Sequence, residues 1–279
     1  MKDLFDKVSL ECSKNVTNSY STSFSLATKM LSKNIRQDIY NIYGFVRLAD
    51  EIVDTFHDFD KKILLDRFID ELNYSLKNKI STNPILNSFQ FTVNKYKIDY
   101  ELIEAFLTSM KMDLKKVKYS TEKEYKDYIY GSADVVGLMC LKVFVGGNKE
   151  TYNRLKPSAM SLGSAFQKVN FLRDLNADYS LLNRTYFPNL DFNEFDDNAK
   201  MLIMDDIEDD FRKALKGIYE LPNNSKFGVY AAYKYYKRLL KKLKKTSYLK
   251  IKNQRVRVPN YQKVDVLARS YVRYRLNIL

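Results

Sequence analysis

The sequence contains few of the residues on which several common kinds of active site depend. Its single histidine, His57, argues against a histidine-ligated metal and against a serine–histidine nucleophile pair. Cys12 and Cys140 stand far apart without metal-binding or redox spacing, so we interpret them as reduced thiols of a cytoplasmic protein. Any chemistry in this chain must therefore use carboxylates, tyrosine, arginine, lysine or a bound metal.

The sequence is also poor in loop-forming residues and in long apolar runs. Glycine and proline supply only eight and five of the 279 residues, too few for a loop-rich β protein. No run approaches about 18 apolar residues, so no membrane-spanning helix is expected. The first fifteen residues contain no apolar stretch typical of a secretory signal. With 45% hydrophobic and 29% charged residues, the composition is that of a globular protein.

Acidic residues are missing from one long stretch of the chain. The sequence has 47 lysines and arginines against 34 aspartates and glutamates, a formal charge of +13. Residues 221–264, which we call the basic segment, contain thirteen basic residues and no acidic one, so the remainder of the chain is neutral. The positive charge is therefore a local feature that needs its own explanation.

Apolar residues recur with helical spacing over most of the chain. Between residues 35 and 56 they step alternately by four and three, and shorter seams of this kind occupy residues 162–172 and 236–243. Strand-like alternation occurs only at residues 255–258. The pattern predicts an all-α protein with on the order of ten helices in a single domain, residues 1–279, that includes the basic segment. The longest seam comprises Ile35, Ile39, Ile42, Val46, Ala49, Val53 and Phe56.

Two polar stripes accompany these apolar seams. Tyr43, Arg47, Asp50 and Asp54 step by four, three and four, so they share one helix face bordering the buried side. We call Asp50 and Asp54 the first aspartate pair. Because they lie four residues apart, their carboxylates can share one cation.

The second stripe has the same construction. Gln167, Asn170, Asp174 and Asp178 step by three, four and four on an otherwise apolar helix, with Arg173 beside them. We call Asp174 and Asp178 the second aspartate pair. Each aspartate pair therefore has an arginine close by.

The stripes allow two interpretations. Acidic pairs of this spacing are common on solvated helix faces, where arginine neighbours form weak salt bridges. Alternatively, the pairs bind a hard cation, and oxygen-only ligands favour Mg²⁺ over Zn²⁺. Since Mg²⁺ completes its shell with water and substrate phosphate, this second interpretation suggests a diphosphate held between two helices. The residues by themselves leave both interpretations open.

Five segments, spread over nearly the whole chain in order, resemble the squalene/phytoene synthase family, which joins two prenyl diphosphates head to head. The resemblance is greatest to bacterial phytoene synthases. Any one segment is a weak signal, but five at family-like spacing are specific. The segments are YSTSF (20–24), YGFVRLADEIVD (43–54), YIYGSADVVG (128–137), QKVNFLRDLNAD (167–178) followed by RTYFP (184–188), and RVRVP (255–259).

Two positions depart from the family pattern. Asp134 stands where the family usually has glycine, and it could alter the cavity or the metal count, or form hydrogen bonds within a kinked helix. Ala177 replaces an acid often found before the last aspartate, which leaves the second aspartate pair intact.

The resemblance implies a helical bundle of the isoprenoid synthase type around a central apolar cavity. It implies Mg²⁺, with Mn²⁺ as an alternative, held by Asp50, Asp54, Asn170, Asp174 and Asp178. It implies a catalytic group formed by both aspartate pairs with Tyr43 and Arg47. The substrate-binding residues it implies are Ser21, Ser23, Phe24, Tyr43, Arg47, Tyr128, Gln167, Asn170, Arg173, Tyr235 and Arg255.

The reaction implied by the resemblance is the condensation of two geranylgeranyl diphosphates to phytoene through a cyclopropylcarbinyl diphosphate, with release of diphosphate. No NADPH is expected. One alternative is a dehydrosqualene or squalene synthase that uses two farnesyl diphosphates. Others are a head-to-tail prenyl synthase or cyclase, which usually shows Asp-Asp-x-x-Asp, and a non-catalytic assembly factor or scaffold of the same fold.

The basic segment is expected to serve two purposes. Arg255 belongs to the RVRVP segment and is expected near the diphosphates. Nucleic acid is not an expected partner, because it would leave the aspartate pairs without a role. An anionic membrane surface is the candidate partner, which suggests a cytoplasmic protein peripheral at the inner face of the membrane; a solvated basic helix is the alternative. The charges expected to face outward are Lys237, Arg238, Lys241, Lys244 and Lys245.

Overall fold

The computed structural model describes residues 1–182, 184–188, 192 and 194–275. Within these residues the only β feature is an isolated parallel bridge between Lys118 and Thr185, so the all-α prediction is confirmed. A π-helical turn, Tyr130–Asp134, joins α7 to α8. The α-helices are α1 Lys2–Tyr20, α2 Thr22–Lys29, α3 Lys33–Asp54, α4 Lys61–Asn78, α5 Pro84–Tyr96, α6 Tyr100–Asp113, α7 Glu122–Ile129, α8 Val135–Phe144, α9 Lys149–Leu182, α10 Asp197–Glu220, α11 Asn223–Lys245, α12 Tyr248–Asn253 and α13 Asn260–Arg275.

Side-chain caps set the start of two helices that lead to the cavity. Ser21 precedes α2, and its hydroxyl accepts a hydrogen bond from the Phe24 amide at 3.2 Å. Thr121 and Glu124 form a reciprocal capping box that begins α7 and so leads the chain into the π-turn. Both caps satisfy amides that a helix start would otherwise leave without partners.

The apolar seam of α3 forms the centre of the core, as its spacing predicts. Five of its seven residues are at most 4% exposed, and Phe45, on the same helix, stacks on Phe89 of α5 with ring centroids 4.0 Å apart. The two ends of the pattern differ from the prediction. Val46 lines the central cavity, and Phe56 lies beyond the last residue of α3, so neither belongs to the fully buried centre.

Close helix contacts hold the π-turn against α6 and α9. A Cβ on Gly131 would lie 2.7 Å from the carbonyl oxygen of Ala105, and one on Gly163 would lie 2.8 Å from that of Ala133. Only glycine permits backbones to approach this closely. The π-turn is therefore clamped from two sides, and its residues Ser132 and Ala133 reach the cavity wall.

Asp134, the departure from the family pattern, belongs to the π-turn and is not one of the cavity-lining residues. It is 8% exposed, and its Oδ1 has no hydrogen-bond partner. Burial, reinforced by the Asp210 carboxylate and opposed by Lys168, raises the pKa of Asp134 to about 8. Asp134 thus belongs to a locally distorted part of the helix. With a pKa of about 8, its carboxyl group is largely protonated at neutral pH.

The basic segment spans α11, α12 and the start of α13. Its leucine seam is buried, and Val256 and Val258 are buried while Arg255 and Arg257 are exposed, an alternation that forms no strand. Lys237 differs from expectation: it is half-buried and pairs with Glu208 of α10. The other four outward charges, Arg238, Lys241, Lys244 and Lys245, are exposed as expected. Among the described residues, no helix is both long and apolar enough to span a bilayer.

Candidate active site

A cavity of about 520 Å³ lies at the centre of the helices, which confirms the expected central cavity. On α3 its lining residues extend from Ile39 to Asp54, about 22 Å at 1.5 Å per residue. The end near Asp54 is polar and contains both aspartate pairs. The opposite end, near Phe144 and Leu221, is lined by apolar and small side chains. The cavity therefore suits an elongated molecule with a polar head and an apolar tail, and an anionic head would require a cation between it and the carboxylates.

The first aspartate pair lies in the last turn and a half of α3 and faces the polar end. Burial, and secondarily the Asp54 carboxylate, raises the pKa of Asp50 to about 8. Asp54 is 3.2 Å from Nη1 of Arg184, which neutralises part of its charge. Burial therefore dominates at Asp50, whereas Asp54 is the member of the pair that contacts a cationic side chain.

The second aspartate pair faces the first from α9. Burial, then Asp174, and to a lesser extent Asp54 across the cavity, raise the pKa of Asp178 to about 7. Asp174 is held by two arginines: Arg173 Nη2 at 2.5 Å and Arg255 Nε at 2.7 Å. The structure thus concentrates four carboxylates at one end of the cavity with basic groups around them.

Tyr43 lies two turns, and Arg47 one turn, before Asp50 on the same face of α3. Tyr43 stacks on Phe24 of α2 at 4.5 Å, and burial raises the pKa of its hydroxyl to about 12. Arg47 forms an ion pair with Glu51, and its guanidinium lies 4.5 Å from the centroid of the Tyr20 ring. Both side chains therefore have protein partners at the cavity wall.

Polar side chains of α9 are held by partners on neighbouring elements. Gln167 Nε2 donates to the Ser132 hydroxyl of the π-turn at 3.3 Å. The hydroxyl of Tyr236 on α11 donates to Asn170 Oδ1 at 3.3 Å. Tyr235, the neighbour of Tyr236, also lines the cavity. The polar stripe of α9 is consequently directed into the cavity along its length.

Tyr128 lines the cavity but is almost completely buried. Its hydroxyl donates to Asp113 Oδ2 at 2.9 Å. Its ring belongs to an aromatic cluster in which the Phe171 and Tyr186 rings stack at 3.9 Å and Tyr119 lies 4.6 Å from Tyr128. This cluster forms the floor beneath the carboxylates.

Of the predicted site residues, only Arg255 is not among those that line the cavity. It lies between α12 and α13, and its side chain reaches the site through its contact with Asp174. Ser21 and Ser23 line the cavity at the start of α2.

Sequence reasoning missed a buried ion pair under the first aspartate pair. Arg184, 5% exposed, places Nη1 3.4 Å from Asp113 Oδ1 and donates through Nη2 to the Asp113 backbone carbonyl at 3.0 Å. Nη1 also donates to the Tyr186 hydroxyl at 3.0 Å. Burial raises the pKa of Asp113 to about 7, although Arg184 opposes the shift. Arg184 and Tyr186 belong to the RTYFP segment, so the family resemblance pointed to them. Asp113, at the end of α6, belongs to none of the five segments, and nothing in the sequence indicated a role for it.

The carboxylates fit a divalent cation of the Mg²⁺ type. Within the described ranges, no three histidine, cysteine, aspartate or glutamate side chains converge into a complete metal site. Pairs of carboxylates at the end of a cavity suit Mg²⁺, which takes one or two protein carboxylates and completes its shell with phosphate oxygens and water. A cation would also relieve the repulsion that contributes to the raised pKa values of Asp50 and Asp178.

Comparison with known proteins gives consistent matches. A sequence model described as squalene/phytoene synthase matches residues 17–262. A phytoene synthase of Arthrospira platensis is 26% identical, covering 96% of this chain and 94% of its own. A 4,4'-diapophytoene synthase of Staphylococcus haemolyticus is 27% identical, covering 70% of this chain and 66% of its own. The crystal structure of a dehydrosqualene synthase in complex with a ligand has the same fold, with a TM-score of 0.83, 22% identity and coverage of 97% and 98%.

Proposed function

The chain belongs to the squalene/phytoene synthase family of prenyltransferases, and from that premise we propose that it condenses two geranylgeranyl diphosphates head to head to form phytoene. Head-to-head prenyl condensation is the activity common to its phytoene, dehydrosqualene and squalene synthase relatives. The main support for the proposal is that the first aspartate pair on α3 and the second on α9 face each other at the polar end of a long apolar cavity.

The proposed metal is Mg²⁺, with Mn²⁺ as an alternative, held by the two aspartate pairs with Asn170 as a further oxygen ligand. When bound, such a cation supplies neutralisation of the leaving diphosphate. Arg47 and Arg173 are proposed to hold phosphate oxygens as planar forks, with Arg255 reaching in from outside. All three already contact carboxylates at or beside the site, so their charge is pre-positioned.

The remaining residues are proposed to shape the reaction path. Ionisation of the allylic C–O bond releases diphosphate and gives a carbocation that the second prenyl double bond attacks; the resulting cation loses a proton and closes to the cyclopropylcarbinyl diphosphate. A second ionisation releases the other diphosphate, and the rearranged cation loses a proton to give the 1-1′-linked hydrocarbon. The walls of the cavity must exclude water from these cations. Aromatic faces such as Phe166, which stacks on Tyr236 at 3.9 Å and lines the cavity, can stabilise them.

The rest of the proposed binding surface follows the lining of the cavity. Ser21, Ser23, Phe24 and Tyr43 occupy the α2–α3 side. Tyr128, Gln167 and Tyr235 occupy the opposite walls. We also propose that residues 1–279 act as a single prenyl synthase domain that includes the basic segment.

A product assay tests the proposal. Purified protein with Mg²⁺ should convert geranylgeranyl diphosphate to phytoene without NADPH, and Asp54→Asn should serve as the inactive control. If the protein formed a C30 hydrocarbon from farnesyl diphosphate and no phytoene from geranylgeranyl diphosphate, the substrate would be the C15 diphosphate. Only polar head-to-tail diphosphates would contradict the head-to-head reaction. A folded protein with no turnover on either substrate would favour the scaffold alternative.

We propose an anionic membrane as a partner of the basic segment. Arg238, Lys241, Lys244 and Lys245 are exposed on the outside of α11, and basic residues near an anionic surface contribute about 1 kcal/mol each. Membrane association would suit the proposed reaction, because its long hydrocarbon product is insoluble in water and would pass into the bilayer. Nucleic acid is not proposed as a partner.

A further inference from the structure

The final helix, α13, presents an exposed apolar face. Tyr261, Val264, Tyr271 and Val272 are 71%, 60%, 52% and 54% exposed, and Ala268 is exposed between them. Their positions step by three, four, three and one, which places all five on a stripe about 100° wide. We call these five residues the outer face of α13.

The opposite face of α13 packs on α11. Ser270 is buried, the Tyr274 ring lies 5.1 Å from Phe227, and the Lys263 ammonium lies 5.9 Å from the Tyr235 ring. The end of α13 thus contacts the beginning of α11, and the beginning of α13 contacts a later part of α11, so the two helices run antiparallel. The helix is held by this inner contact, to which Tyr271, at the edge of the outer face, adds an edge-on contact with the Phe227 ring at 5.7 Å.

The helix beneath α13 is part of the cavity wall. Gly228, Val229, Ala232, Tyr235 and Tyr236 of α11 all line the cavity. The outer face of α13 is therefore separated from the cavity by two helices, and it runs beside the cavity along much of its length. Whatever covers α13 lies close to the wall that encloses the proposed hydrocarbon product.

The charges around the outer face are predominantly positive. Arg269 and Arg273 are exposed on α13, and Asp265, the only acid in α13, forms an ion pair with Arg269 at 2.7 Å. Lys242 Nζ donates to the Arg257 carbonyl at 2.5 Å, which brings the basic end of α11 next to the start of α13. An apolar stripe with tyrosines and flanking arginines is typical of a helix lying in the plane of a membrane interface.

From this juxtaposition we propose that α13 is the membrane-docking element of the protein, with its outer face inserted at the headgroup–acyl boundary of an anionic bilayer. The inference rests on the proposed function, which gives the bilayer its role as the destination of the product. A second copy of the chain is the less suitable occupant, because the basic residues of α13 outnumber Asp265 and pairing two outer faces would bring like charges together.

The absence of tryptophan in the sequence permits a direct test. Val264→Trp places a single tryptophan on the outer face, and Ile63→Trp places one at a comparably exposed position on α4 as the matched control. With vesicles of phosphatidylcholine and phosphatidylglycerol, Val264→Trp emission should shift to the blue and be quenched by brominated lipid, whereas Ile63→Trp should show neither effect. An unshifted Val264→Trp spectrum, or equal shifts without phosphatidylglycerol, would overturn the proposal.

A second pair of variants measures the contribution of the outer face to binding. Val264→Asp with Val272→Asp should reduce co-sedimentation with anionic vesicles about tenfold or more, since two apolar side chains lose their burial. Ile63→Asp should leave co-sedimentation unchanged. If the double variant bound vesicles as well as the unaltered protein but was a monomer where the unaltered protein was a dimer, the outer face would serve self-association instead.

The two measurements separate this inference from the proposed function. Vesicle binding is measured without substrate, so it does not depend on turnover. Turnover is measured on detergent-dispersed substrate, where the double variant should match the unaltered protein because neither valine lines the cavity. Inactive protein that still binds vesicles through α13 would contradict the proposed function alone.

Discussion

Arg184→Gln tests whether the buried ion pair under the first aspartate pair supports the site. Arg184 makes contacts with Asp54, Asp113 and Tyr186, and its side chain is 6% exposed. Glutamine keeps much of the volume but removes the charge. The variant leaves the Asp113 carboxyl buried without its cation, and only the Tyr128 hydroxyl continues to donate to it.

The expected loss is large for a single substitution. Removing one partner of a buried ion pair costs about 3–5 kcal/mol of unfolding free energy, against a total of about 5–15 kcal/mol for a typical domain. The loss should depend on pH. The pKa of Asp113 is raised to about 7 by burial even with Arg184 present, and it should rise further without it. The lone carboxyl is therefore neutral below pH 7, so the destabilisation should be smaller at acidic than at alkaline pH.

Urea unfolding followed by far-UV circular dichroism, on each side of pH 7, measures this loss. Arg154→Gln is the matched control, because its ion pair with Glu220 is half exposed on both sides and should contribute about 0–1 kcal/mol. If Arg184→Gln lost no more stability than Arg154→Gln, the reasoning that the buried pair holds the floor of the site would be refuted.

Three further predictions concern the carboxylates. Asp50→Asn should abolish turnover. It should also raise the melting temperature of the metal-free protein, because burial and the Asp54 carboxylate disfavour the charged form of Asp50. A lower melting temperature would instead indicate a structural role for Asp50. The contribution of Asp134 to stability should be greatest below its unfolded pKa of about 4 and should fall as the pH rises towards its folded pKa of about 8. Asp134→Asn should therefore stabilise the protein at pH 8 but not at pH 4, whereas Asp127→Asn, at an exposed position, is the control. Mg²⁺ with inorganic diphosphate should raise the melting temperature in calorimetry, and a similar rise in Asp174→Asn would contradict binding at the aspartate pairs.

The stripes on α3 and α9 show how far periodicity reaches. The steps of four and three place Tyr43, Arg47 and the first aspartate pair on one face because an α-helix repeats every 3.6 residues. The same rule places the second aspartate pair on one face of α9. Both conclusions need only local sequence, and the family resemblance added the expectation that the stripes meet in one cavity.

Contacts between distant residues had no comparable signal. Asp54 and Arg184 are 130 positions apart, and Asp113 joins them from a third helix. Lys237 was expected to face outward, and only the position of α10 brings Glu208 close enough to pair with it. Such pairs depend on how whole helices pack, which local spacing does not encode.

The sequence by itself thus determined the helical class, the faces that carry the carboxylates, the basic segment and the family resemblance, because these depend on neighbours within a few turns. Only the tertiary structure decided that Asp113 joins these carboxylates, that Arg184 is buried beside them and which face of α13 remains exposed. Those outcomes depend on the positions of helices far apart in the chain, where burial changes the energy of each charge and each apolar surface.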